Sequence, residues 1–227
     1  MNSKPACASL HKFHLAVEDD VKSEILISYI KTNFKNVQLT GAVGKYPVSR
    51  DLFLAFNQNP EKLIGYFSKE VLYSLSGEKL NIKTEQSELE NGEIDPRAYE
   101  KTVLEFRKEM FGSPVYEPSD KEIEMAQNDL DNHLISAIKE NGEIVSIARY
   151  IRVYKNYGLV GSVFTPKKHR SKVYSKLCMK KLIKNGADKL GLKSVVLCTG
   201  ETNLAAQKVY ESLGFKKIGY IGFYRIS

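Results

Sequence analysis

The sequence predicts an α/β fold, a mixed β-sheet flanked by helices, with an N-terminal α/β extension. Two observations carry this. The last ~130 of the 227 residues read as three strands followed by alternating helix and strand, and the order β-β-β-α-β-α-β suits a mixed sheet with helices on its faces. Two of the strands are joined through Asn141-Gly142 between β-branched runs, a strong hairpin signal. Composition agrees: 42% hydrophobic and 27% charged residues suit a globule with a sizeable core and exclude collagen, coiled coil and wholesale disorder.

In chain order, Asp19 or Asp20 caps a helix whose apolar stripe is Val21, Ile25, Leu26, Tyr29 and Ile30. Gly41 to Pro47 reads as a loop, followed by a mixed stretch through Phe53, Phe56 and Leu63. Ile64 to Leu75 is a buried strand or a helix, which periodicity does not separate. Glu85 to Pro96, with Asn91-Gly92 and Asp95-Pro96, is a turn-rich connection and divides the chain into 1–95 and 96–227. Pro96 to Met110 is then a helix carrying Tyr99, Val103, Leu104 and Phe106, and Pro118 to Asn128 a second. His133 to Lys139 and Glu143 to Val153 form the hairpin, and Leu159 to Phe164 a third strand ending at Thr165-Pro166. A helix from Arg170 to Asn185 ends near Gly186. Strand Ser194 to Cys198, helix Asn203 to Leu213 stopped by Gly214, and strand Lys217 to Arg225 complete the chain. No internal repeat shows.

No apolar run reaches the ~18–20 residues of a membrane span, so no membrane partner is expected. Lys4, His11, Lys12 and His14 leave no signal-peptide core. Three widely spaced cysteines make no disulfide framework, and there is no Asn-x-Ser/Thr sequon; the expectation is a reducing, cytoplasmic setting. The net charge of +7 is uneven. Residues 165–227 hold 12 Lys and 2 Arg against Asp188, Glu201 and Glu211, a balance of +11, which leaves −4 for the first 164. Such asymmetry points the basic end at an anion: nucleic acid, a membrane surface or a phosphorylated small molecule.

Most motifs fail on inspection. Gly41-Ala-Val-Gly44-Lys45 has the wrong glycine spacing for a phosphate loop, with Tyr46 where a Ser or Thr is needed. Cys7, His11 and His14 lack a fourth zinc ligand. His133 and His169 stand alone, and no Ser or Cys sits on a nucleophile elbow. Cys178 and Cys198 fall on apolar faces, as small buried hydrophobes do. Lys172, Lys176, Lys180 and Lys184 form a solvated helix face. The start of that helix differs: Lys167, Lys168, His169, Arg170, Ser171 and Lys172 surround free backbone N–H groups at the positive end of a helix dipole, an anion site directly after a strand.

Strand Leu159–Phe164 and the run Thr165-Pro-Lys-Lys-His-Arg170-Ser171-Lys172-Val173-Tyr174-Ser175 resemble the coenzyme A pyrophosphate loop of the GNAT superfamily of N-acetyltransferases, whose pattern is Arg/Gln-x-x-Gly-x-Gly/Ala after a strand. Asn203-x-x-Ala206-x-x-x-Tyr210-x-x-x-Gly214-Phe215 matches the family at each offset. The resemblance covers about residues 96–227, and some family members carry an N-terminal extension. It implies a GNAT-like sheet that splays between the strands ending at Thr165 and near Thr199, with acetyl-CoA as cosubstrate. The diphosphate would lie on Arg170, Ser171, Lys172, Val173, Tyr174 and Ser175. Asn203 would hold the pantetheine arm, and a backbone N–H of Val163, Phe164 or Thr165 the oxyanion. Tyr210 would protonate the departing thiolate. Two positions depart from the pattern. Val173 and Ser175 replace the loop's glycines, and the valine's bulk sits where phosphate approaches. Strand Leu159–Phe164 has no Glu, so the amine loses its proton through water or arrives neutral.

The reading is an acetyl-CoA-dependent N-acetyltransferase in which a primary amine, of a small molecule or peptide, attacks the thioester directly. A non-catalytic acyl-CoA-binding or sensing protein is the rival that Val173 motivates. A nucleic-acid-binding module built on the +11 end is another, without helix-turn-helix, zinc-finger or RNP signatures. The acidic stretch Lys83 to Asp131 suits a cationic amine; solvated helices explain it equally.

Overall fold

The computed structural model describes residues 10–15, 22–33, 38–57, 64–80 and 93–226. By its contacts the chain forms two compact units: Met1–Leu72 with Cys198–Asn203 and Lys217–Ser227, and Tyr73–Leu197 with Leu204–Lys216.

The first unit holds β1 (Leu10–Leu15), α1 (Ser23–Asn33), β2 (Gln38–Lys45), α2 (Val48–Phe56), most of β3 (Ile64–Ser76) and most of β8 (Lys216–Ile226), with strand order β1-β2-β8-β3. β2 runs parallel to β1 and antiparallel to β8, from Gly41↔Arg225 to Lys45↔Ile221. Gly41 to Lys45 is therefore strand, not the expected loop. Two partner strands satisfy its backbone, and that outweighs the poor strand propensity of Gly41 and Gly44. The mixed stretch that follows is α2, which buries Leu52 against Ile30 and Val48 and stacks Phe53 on Tyr224 at 5.2 Å. In α1 the inward face is Leu26, Ile27 and Ile30, while Ile25 and Tyr29 are exposed. Apolar residues lie on both sides of this helix, so the stripe was ambiguous in sequence. Its expected caps, Asp19 and Asp20, lie outside the described residues.

The second unit holds the end of β3, α3 (Pro96–Phe111), α4 (Asp120–Asp131), β4 (Ile135–Glu140), β5 (Glu143–Tyr154), β6 (Tyr157–Phe164), α5 (Tyr174–Leu190), β7 (Ser194–Gly200) as far as Leu197, and α6 (Leu204–Ser212). Its strand order is β3-β7-β6-β5-β4. Along β3, Val71, Tyr73 and Leu75 are buried and Leu72 and Ser74 are not, a period of two that settles strand over helix. The turn-rich stretch expected as a boundary lies mostly outside the described residues; Tyr73–Leu80 belong to the same compact unit as α3.

Local chemistry sets the ends of these elements. The Asp95 carboxylate accepts from the N–H groups of Arg97 (3.1 Å) and Ala98 (3.2 Å), with Pro96 at the first helical position. Ser119 and Glu122 form a reciprocal capping box at α4. The hairpin turns at Asn141 (φ 52°) and Gly142 (φ 78°), the left-handed pair that two-residue hairpins require. Tyr99 and Val103 of α3 pack on Ile135, Ala137, Ile144, Ile147 and Phe164, while α5 covers β4 and β5 with Cys178, Met179, Leu182 and Ile183 buried.

Helix α5 starts and ends later than expected. It begins at Tyr174 because Ser171 (φ 62°) is left-handed and Lys167–His169 form a separate 3-10 turn. It runs through Gly186 to Leu190 and stops at Gly191 (φ 64°). Gly186 is glycine for packing: a Cβ there would sit 2.4 Å from Tyr150 Oη and 2.9 Å from Leu192 Cδ1.

Candidate active site

The site is built from β6 outward. β6 and β7 pair in parallel from Tyr157↔Ser194 to Val160↔Leu197, and β6 then continues to Phe164. On its other edge Arg149 pairs with Gly161 and Ile147 with Phe164, so Ser162 and Val163 together oppose Ala148. This is a β-bulge, with Ser162 at φ 53°. A bulge takes backbone groups out of the ladder and re-aims them. Just beyond, Ser146 Oγ donates to the Phe164 carbonyl (3.2 Å) and lies 3.0 Å from Thr165 Oγ1, pinning the strand end. Neither the bulge nor Ser146 was legible in sequence, since both are defined by β5.

The loop that follows is held by carboxylates. Arg170 donates from Nε to the Thr165 carbonyl (2.9 Å) and from Nη2 to Glu109 (2.6 Å), with its guanidinium over the Phe164 ring. Lys168 donates to Glu143, and His169 Nε2 lies 3.5 Å from the same carboxylate. Tyr174 donates its hydroxyl to Glu140, while Lys172 Nζ donates to Tyr174 Oη (3.1 Å) and lies 3.5 Å from Glu140. The Lys168 hydrogen bond holds the Glu143 carboxyl below its ordinary range, and the Tyr174 hydrogen bond does the same for Glu140. Of the basic run expected around an anion, Lys168, Arg170 and Lys172 each have a carboxylate partner within the chain.

Among the described residues no side chain caps α5, and its first turn holds no acidic residue, a start whose N–H groups and dipole suit an anion. Val173 does not obstruct through its backbone. It sits at φ −79°, ψ 1°, and its side chain is 61% exposed. Ser175, in the first turn, is half-buried. These residues fit a diphosphate.

On α6, Tyr210 is 5% exposed, with its ring 6.1 Å from Tyr73 and 6.0 Å from Phe215. Tyr73 in turn donates its hydroxyl to Glu211 (2.9 Å). The Phe215 N–H closes on the Tyr210 carbonyl (3.1 Å), with Gly214 at φ 91° making the turn. Asn203 belongs to the first unit; its side chain is exposed and its N–H donates to the Gly200 carbonyl at 2.9 Å.

Other candidates fall away. Cys178 is fully buried, donates to the Ser136 carbonyl (3.3 Å), and burial pushes its thiol up to about 12, which suits packing. Among the described residues no group of three His, Cys, Asp or Glu could hold a metal, and no helix is long and apolar enough to cross a membrane. Cys7 and the side chains of His11 and His14 lie outside the described residues. Four carboxylates of the acidic stretch are engaged within the fold, in the pairs Arg97–Asp120, Lys101–Glu117, Arg107–Glu122 and Arg149–Asp129.

The sequence profile of the Acetyltransferase (GNAT) family matches residues 100–215. The chain belongs to this family. The GNAT match takes in the bulge, the loop, α5 and Tyr210, and it places the chain among acyl-transfer enzymes. Solved structures agree in fold. A GNAT acetyltransferase from Colwellia psychrerythraea is 16% identical with a TM-score of 0.58, over 90% of this chain and 72% of that one. A GCN5-related N-acetyltransferase from Sphaerobacter thermophilus is 16% identical with a TM-score of 0.57, over 84% and 59%. One from Kribbella flavida is 12% identical with a TM-score of 0.56, over 90% and 76%. No curated protein matches this GNAT chain.

Proposed function

We propose that the chain transfers the acetyl group of acetyl-CoA to a primary amine of a small molecule or peptide, by direct attack and without an acyl-enzyme. The observation that carries this is the continuity of segment 162–175: a bulged strand end runs through a braced loop into a helix whose first turn is uncapped. One stretch of backbone so offers donors for a carbonyl oxygen and, farther on, for a diphosphate.

Bound acetyl-CoA would supply an activated acetyl group and a thiol leaving group; the residues do the rest. The N–H groups of the first turn of α5, with the Ser175 hydroxyl, hold the diphosphate, and Arg170 keeps the loop against the end of β6. A backbone N–H of Val163–Thr165 meets the negative charge that develops on the carbonyl oxygen. Asn203 grips the pantetheine arm. Tyr210 gives its proton to the departing thiolate, a role suited to a phenol, which is protonated at neutral pH. The features that motivated the rivals support them less. Val173 has an ordinary backbone and an exposed side chain, and three cations of the basic loop are engaged within the chain.

The test is thermal unfolding with acetyl-CoA and with free CoA, followed by thiol release over a panel of amines. Acetyl-CoA at a hundred times its dissociation constant should stabilise the fold by about 2.7 kcal/mol. A melting temperature unmoved by millimolar acetyl-CoA refutes the reading.

A further inference from the structure

Two of the carboxylates that hold the loop before α5 come from one turn. Glu140 ends β4 and Glu143 starts β5, and they are partners across the last rung of the hairpin, with the left-handed pair Asn141 and Gly142 between them. Like charges directly opposite each other weaken a hairpin, so this pair gains nothing for β4 and β5 by themselves. Its counterions lie on the loop. Lys168 donates to Glu143 and His169 Nε2 lies 3.5 Å from it, while Lys172 Nζ lies 3.5 Å from Glu140. The buried Tyr174, first residue of α5, donates its hydroxyl to Glu140 and so fixes that carboxylate beside the start of the helix.

The two lysines differ from Arg170. Arg170 is tied to the Thr165 carbonyl as well as to Glu109 and lies over Phe164, which makes it part of the loop's frame. Lys168 and Lys172 have side chains 64% and 51% exposed, and that of Glu143 is 51% exposed. Beyond its carboxylate, Lys172 donates to Tyr174 Oη at 3.1 Å. Ion pairs this exposed are weak and part at little cost. A phosphate group presents more charge and more acceptor oxygens than a carboxylate, so it competes well for an ammonium group.

We propose that Glu140 and Glu143 are internal competitors of the cofactor: the hairpin tip and the phosphates of acetyl-CoA contend for Lys168 and Lys172. This rests on the acetyl-transfer reading above and adds to it two residues that set cofactor affinity. Binding exchanges the Lys168–Glu143 and Lys172–Glu140 pairs for lysine–phosphate pairs and releases the hairpin tip from the loop. Free CoA carries the same phosphates as acetyl-CoA. The carboxylates therefore lower the affinity of substrate and product by the same factor, and by reclaiming the lysines they speed the departure of CoA.

The experiment is calorimetry of acetyl-CoA and of free CoA on the full chain, on Glu140→Gln, on Glu143→Gln and on the double variant. Gln keeps an acceptor for the Tyr174 hydroxyl and removes the charge. Each single variant should bind both ligands about two- to fivefold more tightly at low salt, and the double variant about tenfold; the gain should shrink as salt rises. Two controls separate competition for a lysine from a change of overall charge. Asp188→Asn removes the same charge from α5 roughly 20 Å from its start, where Asp188 pairs with Lys184, and should leave the affinity unchanged. In a Lys172→Met background, Glu140→Gln should bring no gain. Affinity equal to or below that of the wild type in both Gln variants, or a gain that survives Lys172→Met, overturns the competition and leaves the cofactor reading standing. Absence of binding by the wild type and by the double variant overturns both.

Discussion

Tyr210→Phe removes one oxygen and leaves the ring. That ring is 5% exposed and packed by Tyr73 and Phe215 at centroid distances near 6 Å, so its buried area survives the change. The stability cost is then limited to the hydrogen bonding of the hydroxyl, about 1 kcal/mol, which lowers the melting temperature by roughly 2–4 °C in a domain of this size. Loss of a general acid is worth about 10²–10⁴ in rate, or about 2.7–5.4 kcal/mol on the barrier. The two magnitudes separate cleanly: a folded chain that loses 1 kcal/mol remains folded and cannot lose its turnover on that account. The loss should fall on kcat, because the proton is needed only as the thiolate leaves. Tyr210→Ala is the contrast. It empties the space between Tyr73 and Phe215 and should cost about 3–5 kcal/mol of stability. Steady-state thiol release across pH, beside thermal unfolding of each variant, reads both quantities. A Phe variant that turns over at the wild-type rate at every pH would make Tyr210 a packing residue and water the acid.

Further expectations concern the loop and the scaffold. Asn203→Ala should raise the KM for acetyl-CoA with kcat little changed, because an amide gripping the pantetheine arm serves ground and transition states alike; a kcat-only loss would contradict that role. Val173→Asp places a negative charge at the uncapped start of α5, so calorimetry should show acetyl-CoA affinity down about tenfold or more, while the helix itself is not weakened; equal affinity would remove the diphosphate from this helix end. Gly186→Ala drives a Cβ to within 2.4 Å of Tyr150 Oη and should cost about 1–3 kcal/mol in thermal unfolding, partly recovered when Tyr150→Phe is added; additive losses would refute the clash. The Ser119 and Tyr116 hydrogen bonds hold the Glu122 carboxyl down to about 2. A depressed carboxyl stabilises above its unfolded value and loses that contribution as pH falls towards the folded one, so the fall in melting temperature from about pH 4.5 to pH 2 should be shallower in Glu122→Gln than in the wild type.

By itself the sequence determined what one contiguous segment can encode. The hairpin at Asn141-Gly142, the stop at Gly214 and the order of elements after residue 96 follow from side chains and backbone preferences within a few residues of one another. The same holds for the motif from Asn203 to Phe215, whose fixed offsets lie along a single helix and its turn. Tertiary structure decided everything that needs a remote partner. Gly41 to Lys45 became strand because β1 and β8 flank it, and Gly186 proved to be a packing glycine because Tyr150 lies against it. The bulge at Ser162 exists only relative to β5, and the loop's cations are neutralised by Glu109, Glu140 and Glu143 from other elements. Local periodicity reports what a backbone segment prefers; which carboxylate meets which cation depends on how distant segments pack, and no short-range pattern contains it.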